Sequence, residues 1–378
     1  MRSYCRWSLL TPKLTIPNAK LRGVKLIAQA TAGSWSILHI SDTQFGKYHR
    51  FSGGPDSLAK RLLEDLVSLR DTVPPVRLVV LSGDITERAL PSEFREATAF
   101  LKGVLEQLAL TTRDVLFVPG NHDVNWKDCE AHFNQREARG LEPVAPFKPK
   151  WSKYASFRRA LTGETTLHSV VHRPDLRLSA VLINSTVRES HQQHFGWCGE
   201  DQLRELAGQL REGALDLRIA ILHHNVRRGA TDDNENLLDE REFTRILGPY
   251  LTLVLHGHTH NGRRDYLSDG TLVLSTGSAA VSSAYRPDEV DNQYQVISFN
   301  DGQLHRWARR YAADEKRFVA DSRIGPEAHP GRESIPIVGT ANNSSARGPV
   351  EGVSRKARLR LGQYDEDETL RDGKSNGL

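Results

Sequence analysis

Cysteine is scarce in this sequence. Its three cysteines, Cys5, Cys129 and Cys198, are scattered along 378 residues. A disulfide framework or a thiolate zinc site needs more cysteines at closer spacing, so both are excluded. A reducing compartment is the simplest interpretation of this composition.

Long apolar runs and a dominant charge are also missing. No apolar run approaches the ~18 residues that cross a bilayer, so we expect no membrane-spanning helix. The 51 Lys and Arg residues nearly balance the 47 Asp and Glu residues, and the formal net charge is +4. So small a charge does not favour a dedicated nucleic-acid-binding protein. The hydrophobic fraction of 38% is high enough to exclude a wholly disordered chain.

The two ends of the chain differ in composition from the middle. Residues 1–35 contain six basic residues and no acidic one. They lack the continuous apolar segment of a secretory signal, so we expect either a disordered basic leader or a misassigned start codon. From residue 326, Gly, Pro, Ser, Asn and charged residues dominate, with a basic cluster at 355–360 and an acidic one at 365–368. This pattern predicts a disordered charged tail over 326–378.

Strand and helix patterns alternate between these ends. Short apolar runs predict strands at 36–40, 78–81, 115–118, 178–183, 219–222 and 251–255. Helical spacing of apolar residues predicts helices at 58–69, 94–108, 200–210 and 237–247. Residues 126–175 are less regular, and residues 263–311 predict hairpins with turns at Asp269-Gly270 and Asp301-Gly302. The sequence therefore predicts an α/β domain over 36–312 that finishes in antiparallel strands.

Polar residues follow almost every predicted buried strand. They are carboxylates, amides and imidazoles: Asp42, Gln44, Asp84, Asn121, His122, Asp123, His223, His224, His258 and His260. Sites in open α/β sheets form beyond the carboxyl ends of the strands, so we expect these side chains to converge. Nitrogen and oxygen donors without thiolate suit manganese, iron or zinc. Two such ions that share a carboxylate can activate water and hold both oxygens of a phosphoryl displacement.

These motifs resemble those of the calcineurin-like metallophosphoesterases over residues 36–310. Each motif is weak alone, and the resemblance depends on their order. The order is Asp42-x-Gln44, Gly83-Asp84, Gly120-Asn121-His122-Asp123, His223 and Gly257-His258-Thr259-His260. The resemblance implies a four-layer α/β/β/α sandwich with a dinuclear metal centre at one edge. It also implies a phosphate-ester substrate, two divalent ions and in-line attack on phosphorus by a metal-bound hydroxide.

The resemblance also implies a role for each site residue. Asp42 and His260 would hold the first metal, and Asp84 would bridge the two metals. The second metal would be held by Asn121, His223 and His258. His122 would stabilise or protonate the leaving group, and Asp123 would orient the imidazole of His122.

Gln44 departs from the resemblance, because the first motif of the family usually has histidine there. A glutamine carbonyl oxygen is a harder and weaker ligand than imidazole, so we expect either looser occupancy of the first site or a preference for Mn²⁺ over iron. Alternatively, Gln44 is not a ligand, and a neighbour such as His49 takes its place. Loss of the first metal, and with it of activity, is the third alternative.

The substrate class is less defined than the metal site. Asn184-Ser185-Thr186, the segment 199–203 and His223-His224 are similar to the bacterial cyclic-nucleotide phosphodiesterase branch. We therefore expect a phosphodiesterase, with His224 and Arg227 as candidate substrate contacts and a nucleotide as candidate substrate. The alternatives are a phosphomonoesterase, a nuclease, or a catalytically weak binding or effector module. The cysteine content, the absence of a signal and the resemblance together predict a cytoplasmic protein.

Overall fold

The computed structural model describes residues 34–51, 56–213, 215–226, 236–300, 302–327 and 329–337. The predicted leader up to residue 33 and the tail from residue 338 lie outside these ranges, so their disorder stays a prediction. None of the helices within the described ranges combines the length and the apolar composition that crossing a bilayer requires.

Helices and strands alternate along the chain much as the periodicity predicts. The strands are β1 (Trp35–Ile40), β2 (Val76–Leu81), β3 (Val115–Phe117), β4 (Ser169–Arg173), β5 (Leu178–Leu182), β6 (Leu217–Ile221), β7 (Leu253–His256), β8 (Arg264–Tyr266), β9 (Leu272–Ser275), β10 (Gln293–Asn300), β11 (Gln303–Ala312), β12 (Arg317–Ala320) and β13 (Arg332–Pro336). The helices are α1 (Leu58–Leu69), α2 (Pro91–Leu108), α3 (Trp126–Glu137), α4 (Ser152–Thr162), α5 (Glu200–Gly213) and α6 (Glu240–Leu247).

The strands form two sheets. In the first, the order is β12-β11-β10-β1-β2-β3, and β13 pairs with β11. The second has the order β4-β5-β6-β7-β9-β8. Within them, β1, β2 and β3 are parallel, as are β5, β6, β7 and β9. The carboxyl ends of the parallel strands therefore gather at one edge of each sheet.

The two sheets pack face to face because successive side chains of each strand point to opposite faces. In β1, Ile37 points into the core between the sheets, while Leu38 points to the helices α1, α2 and α4. In β6, Ile221 likewise faces the other sheet, while Ala220 packs against α5 and α6. Three apolar layers thus separate four layers of secondary structure. This confirms the predicted α/β/β/α sandwich.

Residues 126–175 are more regular than the sequence indicates. They contain α3, α4 and β4. Helix α4 buries Tyr154 and Phe157 against the first sheet, but α3 buries only Cys129. The weak amphipathic pattern of α3 explains why periodicity did not reveal it.

The sheet continues past residue 312, so the predicted end of the domain is too early. Strands β12 and β13 both pair with β11. Strand β13 also lies inside the tail that we predicted to be disordered from residue 326, and this part of the prediction is wrong. Ile335 is the buried apolar residue of β13, and its charged and polar neighbours masked the strand pattern.

A buried ion pair fastens α1 to the first sheet. Asp65, on α1, accepts hydrogen bonds from the Tyr294 hydroxyl at 2.6 Å and from Arg309 Nε at 2.7 Å. The side chains of Asp65 and Arg309 are 3% and 11% exposed. Since both charges lie out of water, each depends on the other for compensation.

We predict that Asp65→Ala lowers the free energy of unfolding by about 3–5 kcal/mol, because it leaves the Arg309 charge buried without a partner. The control is Glu315→Ala, which breaks an exposed ion pair with Arg317. It should change the free energy of unfolding by less than ~1 kcal/mol. Urea titration followed by circular dichroism measures both. Equal destabilisation by the two substitutions would contradict this account.

Candidate metal centre

The carboxyl ends of five parallel strands bring the predicted site residues together. Asp42 follows β1, Asp84 follows β2, Asn121 follows β3, His223 follows β6, and His258 and His260 follow β7. Two residues that lie 216 positions apart meet directly here, since the backbone N–H of His258 donates to Asp42 Oδ2 at 3.1 Å. The convergence that the strand order predicts is therefore present.

The backbone is strained at these strand ends. Positive φ angles occur at five of the predicted metal ligands: Asp42, Gln44, Asp84, His258 and His260. A non-glycine residue in this region costs of order 1–3 kcal/mol and persists only where its surroundings enforce it. Such a cluster of strained residues is typical of a functional site.

Two glycines make room for the ligands. A Cβ atom at Gly83 would collide with the imidazole of His223, and one at Gly120 would collide with the carboxylate of Asp84. Gly83 also has a φ of +90°, which other residues rarely adopt. These glycines therefore allow side chains from separate strands to approach the same point.

The second-metal ligands surround one imidazole nitrogen. His223 Nε2 lies 3.0 Å from Asn121 Oδ1, 3.0 Å from His258 Nδ1 and 3.3 Å from Asp84 Oδ1. The other nitrogen of His223 donates to the Ser82 carbonyl at 2.8 Å, so the neutral ring carries its lone pair on Nε2. Lone pairs of oxygen and nitrogen thus converge, and a divalent cation fits among them.

The first-metal ligands show the same arrangement. His260 Nδ1 donates to the Tyr285 carbonyl at 3.0 Å, which leaves a lone pair on Nε2 of the neutral ring. That Nε2 lies 3.2 Å from Asp42 Oδ1. Among the described residues, Asp42 Oδ1 has no hydrogen-bond donor although it is buried. A buried carboxylate oxygen without a donor fits a cation ligand.

Gln44 lies beside the predicted bridging carboxylate. Its Nε2 donates to Asp84 Oδ2 at 3.3 Å, and its side chain is buried. His49, the alternative to Gln44, bonds through Nδ1 to the Thr43 carbonyl and stacks on Phe45. The His, Cys, Asp and Glu donor atoms that cluster within the described ranges are those of Asp84, His223 and His258. His49 and the first-site candidates Asp42 and His260 are outside this cluster, and the side-chain hydrogen bond of Gln44 is with Asp84.

Electrostatics favour a cation at this edge. Burial alone would raise the pKa of Asp84, but the charges of His223 and His122 hold it well below its ordinary value. Burial alone would lower the pKa of His223, but Asp84 raises it to about 9. A proton on His223 therefore occupies the place of a cation, and cation binding must displace that proton.

His122 has the orientation expected of a residue that faces the leaving group. Its Nδ1 donates to the Glu87 carbonyl at 2.7 Å, and its backbone N–H donates to Asp84 Oδ1 at 2.8 Å. The first bond fixes the ring, and the second fixes the backbone against the predicted bridging ligand. Nε2 is then the ring nitrogen that can meet a substrate.

Asp123 does not orient His122, and this part of the prediction is wrong. The Asp123 carboxylate accepts hydrogen bonds from the backbone N–H groups of Ile85, Thr86 and Gly120 and from the Thr86 hydroxyl, at 2.9–3.1 Å. Residues 121–123 form a short 3-10 helix that turns the carboxylate back towards the chain. Asp123 therefore stabilises the loop that carries Asp84, while the Glu87 carbonyl orients His122.

The structure describes one of the two predicted substrate contacts. His224 is fully buried, and its Nδ1 hydrogen-bonds to the Ser185 hydroxyl at 2.8 Å. Its ring packs 4.7 Å from that of His258. His224 is therefore buried against the ring of His258, and its contact with substrate stays a prediction. Arg227 lies outside the described residues.

A group beside His122 was missed at the sequence level. The rings of Trp126 and His122 are 5.5 Å apart, and His194 packs against Trp126 at 4.6 Å. Glu189 bonds to both Trp126 and His194. No motif marks these residues, because they belong to a helix start and an irregular loop that meet only in the folded chain.

Known proteins share this sequence pattern and fold. The sequence profile of the calcineurin-like phosphoesterases matches residues 36–262. A cAMP/cGMP dual specificity phosphodiesterase of Mycobacterium tuberculosis is 26% identical over 259 residues, which are 67% of this chain and 68% of that protein. The structure of a dimetal phosphatase from Danio rerio superposes with a TM-score of 0.51 at 14% identity and covers 80% of this chain and 99% of the other. Since the profile spans more than half of the chain, this protein belongs to the calcineurin-like phosphoesterase family.

Proposed function

We propose that this protein is a phosphodiesterase that depends on two divalent metal ions. One observation carries the proposal: side-chain oxygen and nitrogen atoms of the predicted ligands converge around His223 Nε2 and Asp42 Oδ1, and the Nδ1 bond of His122 leaves its Nε2 for a substrate. Repulsion between lone pairs on such atoms is relieved by cations. An imidazole outside the ligand set is what a hydrolytic reaction requires in addition.

The ligand sets divide between the two ions as the family resemblance implies. Asp42, Gln44 and His260 would hold one ion, Asn121, His223 and His258 would hold the other, and Asp84 would be shared. When bound, two divalent ions supply a nucleophile from water at neutral pH and neutralise charge on the phosphoryl oxygens. We favour Mn²⁺, with iron or zinc as the alternatives, because the Gln44 oxygen is a hard ligand.

His122 would act on the leaving group. The Glu87 carbonyl accepts the Nδ1 proton of His122. When Nε2 is protonated as well, His122 donates that proton to the oxygen that leaves phosphorus. Asp123 contributes indirectly, since it holds the loop that carries Asp84 in place.

The choice of a diester rests on the relative of known specificity. The Mycobacterium tuberculosis protein acts on cAMP and cGMP, and we propose a cyclic or linear nucleotide diester for this chain as well. The small net charge of +4 favours a nucleotide substrate over duplex nucleic acid, because duplex binding requires a basic surface. A cytoplasmic location remains part of the proposal, and the two described cysteines are free and buried, as a reducing compartment allows.

The first test compares bis-p-nitrophenyl phosphate with p-nitrophenyl phosphate. Metal-stripped protein should be inactive, and added Mn²⁺ should restore cleavage that is faster for the diester. Absorbance of p-nitrophenolate measures both reactions. A faster monoester reaction would make the protein a phosphomonoesterase. Folded protein that cleaves neither ester with any metal would favour a binding module instead.

We predict that His122→Ala keeps both metals and loses turnover by a factor of 10²–10⁴, the range typical of a lost general acid. The loss should be larger for a nucleotide diester than for bis-p-nitrophenyl phosphate, because p-nitrophenolate leaves without help. Metal content by plasma emission and steady-state kinetics measure the two effects. His305→Ala, on β11, is the matched control and should keep full activity. Equal loss of metal and activity in His122→Ala would contradict the assigned role.

We predict that Gln44→His strengthens Mn²⁺ binding at the first site by roughly tenfold, about 1.4 kcal/mol, since imidazole is the stronger ligand. Gln44→Ala should weaken binding at the same site. Calorimetric titration of metal-stripped protein resolves the two sites. Gln303→His adds an exposed imidazole elsewhere and controls for adventitious binding. If Gln44→His leaves the Mn²⁺ affinity unchanged, Gln44 does not contact the ion.

A further inference from the structure

A loop between β5 and α5 meets the start of α3 beside the metal centre. His194, in this loop, packs against Trp126 at 4.6 Å, and Trp126 lies 5.5 Å from the ring of His122. The backbone of His194 also lies beside the buried ring of His224, where it opposes the fall in the pKa of His224 that burial causes. The ring of His224 in turn packs against that of His258. His194 is thus one ring removed from His122, through Trp126, and one ring removed from His258, through His224.

A buried carboxylate holds the two rings in place. Glu189 Oε1 accepts hydrogen bonds from Trp126 Nε1 at 2.9 Å and from His194 Nδ1 at 2.7 Å. The Glu189 side chain is 0% exposed. Because both bonds go to one oxygen, the carboxylate fixes the two rings relative to each other as well as to the loop.

The same loop is folded around a buried ammonium group. Lys150 Nζ donates to the carbonyl oxygens of Thr186, Val187 and Glu189 at 2.7, 3.0 and 2.5 Å. Burial lowers the pKa of Lys150 to about 7, and the three carbonyl oxygens match the three protons of its charged form. Burial of an ammonium and a carboxylate in one place is expensive, and such groups are kept where they fix a geometry.

This arrangement leaves one nitrogen of His194 available. Nδ1 is committed to Glu189, so Nε2 is the nitrogen directed away from the carboxylate. The side chain is 38% exposed, in contrast to Glu189 beneath it. The hydrogen bond to Glu189 raises the pKa of His194, so the ring retains its second proton closer to neutral pH. Nε2–H is then a donor with positive charge behind it, suited to an anionic oxygen.

We propose that His194 is a further substrate-binding residue, which donates from Nε2 to a negatively charged phosphate oxygen of the ester bound beside His122. Glu189 is the positioning residue of His194. The ring of Trp126 lies between the rings of His122 and His194. The proposal deepens the phosphoesterase function and rests on it. It assigns this contact to a residue outside the ligand motifs.

Inorganic phosphate is the probe that separates binding from turnover. Isothermal titration of the Mn²⁺-loaded protein with phosphate should give roughly tenfold weaker binding for His194→Gln than for the unaltered protein. The KM for bis-p-nitrophenyl phosphate should rise by a similar factor, while kcat changes less than threefold. His132→Gln, on α3 of the same region, is the matched control and should leave both quantities unchanged.

A second variant keeps the test decisive. Glu189→Gln retains an acceptor for both rings but removes the charge, so we expect an intermediate loss of about threefold in phosphate affinity. Circular dichroism and metal content establish that each variant is folded and loaded. If His194→Gln binds phosphate as tightly as the unaltered protein, or if His132→Gln loses as much affinity, the proposal is overturned. Phosphate binding tests the role of His194 even if no ester is hydrolysed. The absence of hydrolysis would contradict only the proposed function.

Discussion

The convergence of lone pairs at the sheet edge is the constraint on which the rest of the structure depends. Carboxylate, amide and imidazole atoms of the predicted ligands meet here at 3.0–3.3 Å, and Asp42 Oδ1 has no hydrogen-bond donor among the described residues. A divalent cation can bind such a group of oxygen and nitrogen atoms at buried positions. The left-handed backbone at Asp42, Asp84 and His258 is unfavourable by itself, and the packing of the surrounding fold maintains it.

Backbone carbonyls decide what each histidine can do. Ser82, Tyr285 and Glu87 each accept the Nδ1 proton of a histidine, and each thereby assigns the remaining nitrogen. For His223 and His260 that nitrogen lies within 3.3 Å of atoms of other predicted ligands. In the proposed function, the same hydrogen bond prepares two metal ligands and one proton donor. The difference lies only in where the strand end directs the ring.

Sequence reasoning recovers what depends on local pattern. Strands β1, β2, β3, β5, β6 and β7, helices α1, α2, α5 and α6, and the polar residues at the strand ends follow from apolar periodicity. Helices α3 and α4 and strand β4 do not. Sequence reasoning fails where the outcome depends on contacts between distant segments. The carboxylate of Asp123 could turn to His122 or to the backbone, and only the folded loop settles this. Glu189 and His194 have no motif at all, and β13 is concealed by its charged residues.

In the proposed function, glutamine at position 44 changes the strength of the first site without changing its charge. Glutamine and neutral histidine both bring no charge, so the two carboxylates of Asp42 and Asp84 remain the negative groups that the ions must balance. The need for a cation at Asp42 Oδ1 is therefore undiminished by the substitution. The affinity for that ion is lower, because an amide oxygen is a weaker metal ligand than imidazole. In addition, Gln44 Nε2 can stabilise Asp84 Oδ2 while metal is absent, which imidazole in the ligand tautomer could not do. If the proposed function holds, Gln44 therefore favours reversible over permanent occupancy of the first site.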